Sequence, residues 1–381
     1  MDFTYDEEQQ ALREAVRGLV GKAYSDFENR RKAVAEDPGF DEGLWSRLAE
    51  MGILGLPFRE DDGGSGAGPV EVAIVAEELG RVIAPEPYLA SVVLAGGLVS
   101  AAGTDAQRAE VLGALSAGES VLALAHAEPG TRWTASASRV TASGSGSDWT
   151  VSGVKEPVVA GARADRLVVS AALPDGRTGL FLVYHDDSGV TRSGYRTHDG
   201  GRAARIAFDG AAAVPLGEPG ADLTASIATV LDIGRVMACN EAVGAMEVAL
   251  ATTSEYLKNR KQFGVPLNTF QALNFRAADM YVSLELAKSV TLWATMVVAA
   301  GRPDQLAEAA SRAALQVSRA SRHIGQEAIQ LHGGIGMTAE YSIGSYTSRL
   351  TALDHLLGDG DHHLRLLAAS VGDHGEVAPL P

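Results

Sequence analysis

Apolar residues recur every three or four positions through the first third of the chain, the spacing of one helix face. Phe3, Leu12, Val16 and Leu19 make one such stripe, and Leu44, Leu48, Met51 and Leu54 make another. Gly55-Leu56-Pro57 and then Glu60-Asp61-Asp62-Gly63-Gly64 interrupt the pattern with a strong turn signal. The run from Val70 to Val82 predicts a buried helix ending near Pro85, and further helices are expected over 89–102 and 105–117.

Around Val121 the texture changes to short runs rich in Val, Leu, Ile and Phe: VLALAHA, DWTVSG, DRLVVSAA, GLFLVYH and ARIAFDG. Turn residues about every ten positions favour an antiparallel barrel or sandwich over βαβ units. The stretch SASRVTASGSGSD reads as a polar loop. No G-x-G-x-x-G joins a strand to a helix, which argues against a dinucleotide-binding unit. From Leu223 the helical period returns, with long helices predicted over 227–258, 271–300, 304–332 and 342–357. Long helices on short loops favour an antiparallel four-helix bundle. The expected architecture is α+β in three units: helices over 1–120, an antiparallel β barrel or sandwich over 121–222, and a helical bundle over 223–370. Residues 371–381 are expected to form a loose tail.

Composition narrows the function classes. With 46% hydrophobic residues and a mean hydropathy of +0.03, the 381-residue chain has the balance of a globular protein. A formal charge of −16 argues against a nucleic-acid partner. No apolar run approaches the roughly 20 residues of a spanning segment, and the charged N-terminus lacks a signal-peptide core. Together with the single cysteine, Cys239, this leads us to expect a cytoplasmic protein without disulfides. The Asp and His residues over 354–363 fit neither an EF-hand nor a zinc spacing, so no metal is expected. Cys239 reads as a small buried hydrophobe and Trp45 as core.

Several segments, in order, resemble those of the acyl-CoA dehydrogenase family. FTYDEEQQALREAVRGLV, LWSRLAEMGILGLPFREDDGGSGAG and VEVAIVAEELGR are similar to its N-terminal domain. AHAEPGT resembles the T-E-P-G segment that begins its β domain. NRKQFG with GVPLNTFQALNFRAADM, and later QLHGGIGMTAEY, resemble the two signatures of its C-terminal bundle. The resemblance spans about residues 1–365. It implies FAD, a CoA thioester, and a carboxylate that removes the α-proton while hydride leaves for the flavin.

The resemblance also places the family's site residues on this sequence. The catalytic glutamate of its Tyr-Glu-Gly-Thr stretch falls on Leu357, and the alternative base position, on the helix that opens the bundle, falls on Gly234. Neither side chain can take a proton. The nearby acids Asp354, Asp359 and Asp361 are expected to cap or flank the last helix and face water, and Glu241 to be solvated or at an interface. The Trp and Thr that contact the flavin ring fall on Pro157 and Val159. The Thr before Glu128 is Ala127, and Gly-Ser-Asp is replaced by Thr131-Arg132-Trp133. The Thr after the catalytic glutamate is Asp359, whose charge would repel a pyrophosphate.

A second set of family residues persists: those that reach the ADP half of a neighbouring subunit's FAD. These are Arg260, Phe263 and Gly264, then Gln271, then Gln330, Gly333 and Gly334. Arginine forks onto phosphate oxygens, and glycine lets backbone approach a ligand. The combination is similar to the degenerate partner of a catalytic subunit in heteromeric, α2β2 actinobacterial enzymes that act on sterol side chains. The implied partner is a homologous catalytic chain, which would hold the acyl-CoA or steroid-CoA substrate. Two alternatives stand beside it: a self-sufficient dehydrogenase using Asp354 or Asp359, and a flavin-free binding or scaffold protein.

Overall fold

A computed structural model describes residues 5–373, and the end of the expected tail lies outside the described residues. Helices α1 (Glu7–Ala23), α2 (Phe27–Ala35), α3 (Glu42–Glu50) and α4 (Pro69–Arg81) open the chain. Asp6 starts α1 with a capping box, its carboxylate accepting from Gln9 N at 2.8 Å. Arg13 and Arg17 of α1 then dock on the buried Glu77 and Glu78 of α4. A π-helical stretch, Leu89–Gly96, runs into α5 (Gly97–Ala102), and α6 (Asp105–Ser116) closes the unit. The predicted helices are present at 69–81, 89–102 and 105–116. Polar α2, FENRRKAVA, shows no apolar stripe and was not anticipated.

Among the described residues, β1 (Leu122–Ala125), β2 (Thr141–Ser145), β3 (Asp148–Val159), β4 (Arg166–Ala172), β5 (Thr178–Tyr184), β6 (Val190–Arg196) and β7 (Arg202–Pro215) form one seven-stranded sheet. It closes on itself because β5 pairs with both β4 and β7. Most ladders are antiparallel, as expected of a barrel. However, β1 lies parallel to β4, and β2 meets β4 in parallel at Thr141 and Ala172. Two corrections follow. The polar stretch expected to be a loop contains β2, and exposed β6 carries no apolar alternation by which to find it. Both are held by ladders to neighbouring strands, not by burial of their own side chains.

The bundle comprises α7 (Thr224–Asn259), α8 (Gln271–Ala299), α9 (Pro303–His332) and α10 (Ile343–Leu356), with the further helix α11 (Gly360–Ala369) packed on α9. Strands β8 (Lys261–Gln262) and β9 (Val265–Pro266) form a short hairpin between α7 and α8. Contrary to the expectation that no apolar run approaches spanning length, helix α8 is long and apolar enough to cross a membrane by length and composition. Here it packs against α7 and α9, and Arg276 and Lys288 pair with Glu327 and Glu247 of those helices.

Helices α4 and α7 meet backbone to backbone. A Cβ on Gly80 would lie 2.0 Å from Glu241 O, and one on Gly244 2.0 Å from Glu77 O. Only glycine fits at this separation, so these two positions fix the helical unit against the bundle.

Candidate functional site

The β barrel, the π-helical stretch, α7 and α10 enclose a cleft lined by Leu94, Ala127, Trp133, Pro157, Val159 and Leu357, among others. Its barrel wall rests on Glu128, whose carboxylate accepts from Ser138 N, Arg139 N and Val140 N, and from Lys155 Nζ at 2.9 Å. Burial opposes this charge, but Lys155 and the amides outweigh it and hold the carboxyl down at about 2. Lys155 also donates to His126 O and to Ser170 Oγ. His126 is pushed down to about 4 by burial and then by Lys155. Its Nε2 faces Thr134 O at 2.6 Å and so carries the proton, which leaves Nδ1 to accept from Ser170 Oγ at 2.8 Å. Glu128 and His126 are therefore fully engaged in holding the wall.

Gly234 on α7 and Leu357 at the end of α10 come together although they are far apart in sequence. A Cβ built on Gly234 would lie 2.4 Å from Leu94 Cδ2 and 3.1 Å from Leu357 Cδ1. The two alternative base positions thus share one point, and that point is apolar. Arg235 donates to Leu357 O at 2.7 Å and pairs with Asp232, which engages the nearest acid on α7.

The other sequence-level candidates separate. Asp359 caps α11, accepting from His362 N at 2.8 Å, as expected. Asp354 does not face water: its side chain is 10% exposed and lines an internal bundle cavity with Cys239 and His363, behind Leu357. Glu241 is also corrected, being buried and paired with Arg349, Nε to Oε1 at 2.7 Å. In both cases the neighbour that decides burial comes from a distant segment. Cys239 is buried, and burial pushes its thiol up to about 12. Among the described residues no group of three or more His, Cys, Asp or Glu could hold a metal ion.

Trp133 stands in left-handed backbone (φ 60°) and packs on His362 of α11 with ring centroids 5.1 Å apart, while Arg132 lies over its outer face. This contact joins the barrel to α11 across the cleft rim. Sequence reasoning missed the contact, although the replacement of Gly-Ser-Asp by Thr-Arg-Trp marked the place.

The remaining set sits at the ends of α7 and α9 and the start of α8. Arg260 ends α7, and Phe263 and Gly264 form the β8–β9 turn with positive φ at both. Gln271 begins α8, and Gln330, Gly333 and Gly334 lie at the end of α9. Tyr256 stacks on His332 at 4.5 Å and so binds the α7 and α9 ends together. All seven residues expected to reach a cofactor are exposed, Phe263 at 91%. Arg260 has no side-chain partner among the described residues.

Residues 6–119 match the acyl-CoA dehydrogenase N-terminal domain and residues 224–372 the acyl-CoA dehydrogenase C-terminal domain. The chain belongs to the acyl-CoA dehydrogenase family. The acyl-CoA dehydrogenase IpdE2 of Mycobacterium tuberculosis is 32% identical over 97% of this chain and 99% of its own. The fold is similar to a steroid acyl-CoA dehydrogenase variant, Tcur3481-Tcur3483 (TM-score 0.87, 31% identity, 96% and 98% of the two chains). It is also similar to the ChsE4-ChsE5 complex from Mycobacterium tuberculosis (TM-score 0.87, 26% identity, 99% and 100% covered). The order of helical domain, β-rich region and helical domain is that of this flavoprotein oxidoreductase family. The two regions differ: Pro157 and Val159 line the cleft and Trp133 bridges its rim, whereas the bundle edge exposes glycines and, among the described residues, an Arg260 guanidinium without a side-chain partner.

Proposed function

We propose that this chain is the non-catalytic subunit of an acyl-CoA dehydrogenase and completes the FAD site of a homologous catalytic partner. The observation that carries this reading is the meeting of Gly234 and Leu357 at one apolar point beneath Leu94. Desaturation of a CoA thioester needs a base within hydrogen-bond reach of the α-proton, and loss of one costs about 10²- to 10⁴-fold. Among the described residues the nearby acids are engaged or set back: Glu128 is held by Lys155 in the wall, Asp232 pairs with Arg235, and Asp354 lines a separate bundle pocket behind Leu357.

The bundle edge supports the second half of the reading. Arg260 could fork onto the phosphates of FAD held by a partner, with Gln271 and Gln330 beside it and Gly333 and Gly334 leaving room for its ADP half. FAD supplies the hydride-accepting chemistry; this chain's residues hold its far end. Phe275, Val282 and Leu286 recur along α8 as an exposed apolar stripe, suited to burial against another bundle. The substrate, an acyl-CoA or steroid-CoA, would sit in the partner.

The test is the visible spectrum and flavin content of the chain purified alone, then produced together with a homologous chain that carries the family's glutamate. A colourless chain and a yellow complex with one FAD per two chains are expected. One FAD per chain without a partner would overturn the proposal and return attention to Asp354 and Asp359. Absence of flavin from both preparations would favour a scaffold.

A further inference from the structure

Two of the Asp and His residues between 354 and 363 face one small pocket inside the bundle, behind Leu357. Helices α7, α9, α10 and α11 wall it, with Cys239, Ser318, Asp354 and His363 set among small apolar side chains. Two lining atoms have no hydrogen-bond partner among the described residues: Asp354 Oδ1 and His363 Nε2. Both side chains are buried, Asp354 at 10% exposed and His363 at 0%. His363 Nδ1, by contrast, lies 3.3 Å from Ser311 Oγ. Asp354 Oδ2 is 3.6 Å from His355 Nδ1, which sits closer to Thr351 O, at 3.0 Å. An unmade hydrogen bond at a buried polar atom is costly, and two on the lining of one small pocket point to an occupant that makes both.

The junction between α10 and α11 leaves room for these side chains. Gly358 has φ 124°, and a Cβ there would lie 2.6 Å from His363 Nε2. A Cβ on Gly360 would lie 2.4 Å from Ser318 Oγ. A larger residue at either position would displace a polar group of the pocket. Asp359, between them, caps α11 and so sets where His363 stands.

Size and charge define the occupant. The free volume is about 30 Å³, room for about two water-sized molecules. Burial and then Arg235 push His363 down to about 4, so its ring is uncharged at neutral pH. Arg235 is itself held by Asp232 and Leu357 O. A carboxylate oxygen is therefore the strongest group facing inward, and it accepts hydrogen bonds.

We infer that this pocket binds a small hydrogen-bond donor, a water pair or an ammonium ion, which bridges Asp354 Oδ1 to His363 Nε2 and ties α10 to α11. The bridge sets the end of α10, where Leu357 lines the cleft, against α11, whose His362 meets Trp133 at the rim. The inference concerns the chain's own interior and does not rest on donation of residues to a partner's FAD. The chain alone suffices to test it, so its failure and that of the proposed function are separately visible.

A double-mutant cycle in the full chain, read by denaturant unfolding, tests the bridge. Asp354→Leu and His363→Phe each remove one end and strand the other, so each should lower the folding constant about 10-fold. The double variant should fall short of the product of the two by roughly 5-fold. If instead each substitution stabilises the chain and the two effects simply combine, nothing bridges the atoms and the inference falls. Thermal unfolding in ammonium chloride and in potassium chloride of equal concentration separates the occupants. A higher Tm in ammonium that Asp354→Leu abolishes assigns the ion; equal Tm in both salts, with the coupling present, assigns water. A crystal structure of the wild-type chain keeps the test open should a variant fail to fold. Density bridging Asp354 Oδ1 and His363 Nε2 is expected, and a pocket without it would overturn the inference.

Discussion

The cleft between barrel and bundle and the exposed edge at the ends of α7 and α9 contrast in how they meet their own polar demands. In the cleft every nearby charge has an internal partner: Glu128 has Lys155 and three amides, and Arg235 has Asp232 and Leu357 O. At the edge, Arg260 has no side-chain partner among the described residues, and Phe263 is 91% exposed. This exposed guanidinium and phenyl ring are what the proposed partner would cover. A cleft whose charges are satisfied from within needs no cofactor to stand.

The strongest way to break this comparison is Lys155→Met. It strands a buried carboxylate, so the chain alone should lose about 3–5 kcal/mol in denaturant unfolding. If the loss appeared only in a flavin-loaded complex, the wall would be part of a cofactor site after all. Arg260→Ala is the mirror experiment. The complex should retain FAD about 100-fold more weakly by equilibrium dialysis, the scale of a lost charge-assisted contact, while the chain alone should stay within about 0.5 kcal/mol. Equal damage to both would merge the two regions.

Glu86 sharpens the comparison further, because burial pushes its carboxyl up to about 7. Between the unfolded value near 4.5 and about 7, the folded state keeps a proton that the unfolded state releases. The group therefore removes stability as pH rises through that window, by about 1–3 kcal/mol once complete. Glu86→Gln should cancel this, so its advantage over wild type grows from pH 5 to pH 7 and then levels off. A constant difference across the range would show Glu86 ionised throughout. The smallest effect belongs to Leu357→Glu, expected to leave desaturation by the lone chain at background because Pro157, Val159 and Trp133 still line the cleft. Measurable turnover would mean that only the base was missing.

Much of this was legible in the sequence, and what was missed shares a cause. Helices α4, α8 and α9 and strands β4 and β5 carry apolar runs or stripes, and the bundle-edge residues sit in local motifs, so both could be read along the chain. Helix α2 and strands β2 and β6 bury little of themselves and exist because neighbours pair with them or cover one residue, such as Arg30. The inward turn of Glu241 depends on Arg349, 108 positions away, and that of Asp354 on the closing of α10 over Cys239. Local pattern carries no record of such pairings. Gly234 and Leu357 are the instructive case: two separate counts along the sequence found positions that only the fold shows to be one place.

The glycine contacts at Gly80 and Gly244 have a mechanical consequence. With carbonyl oxygens 2.0 Å from where a methyl group would begin, α4 and α7 have no room to slide or rotate on each other. They must travel as one body. Any breathing between the barrel and the helices has to hinge elsewhere, along the seam where Arg202 of the barrel meets Val34 O and Asp37 at the end of α2. The barrel is then the door, and the helices are its frame.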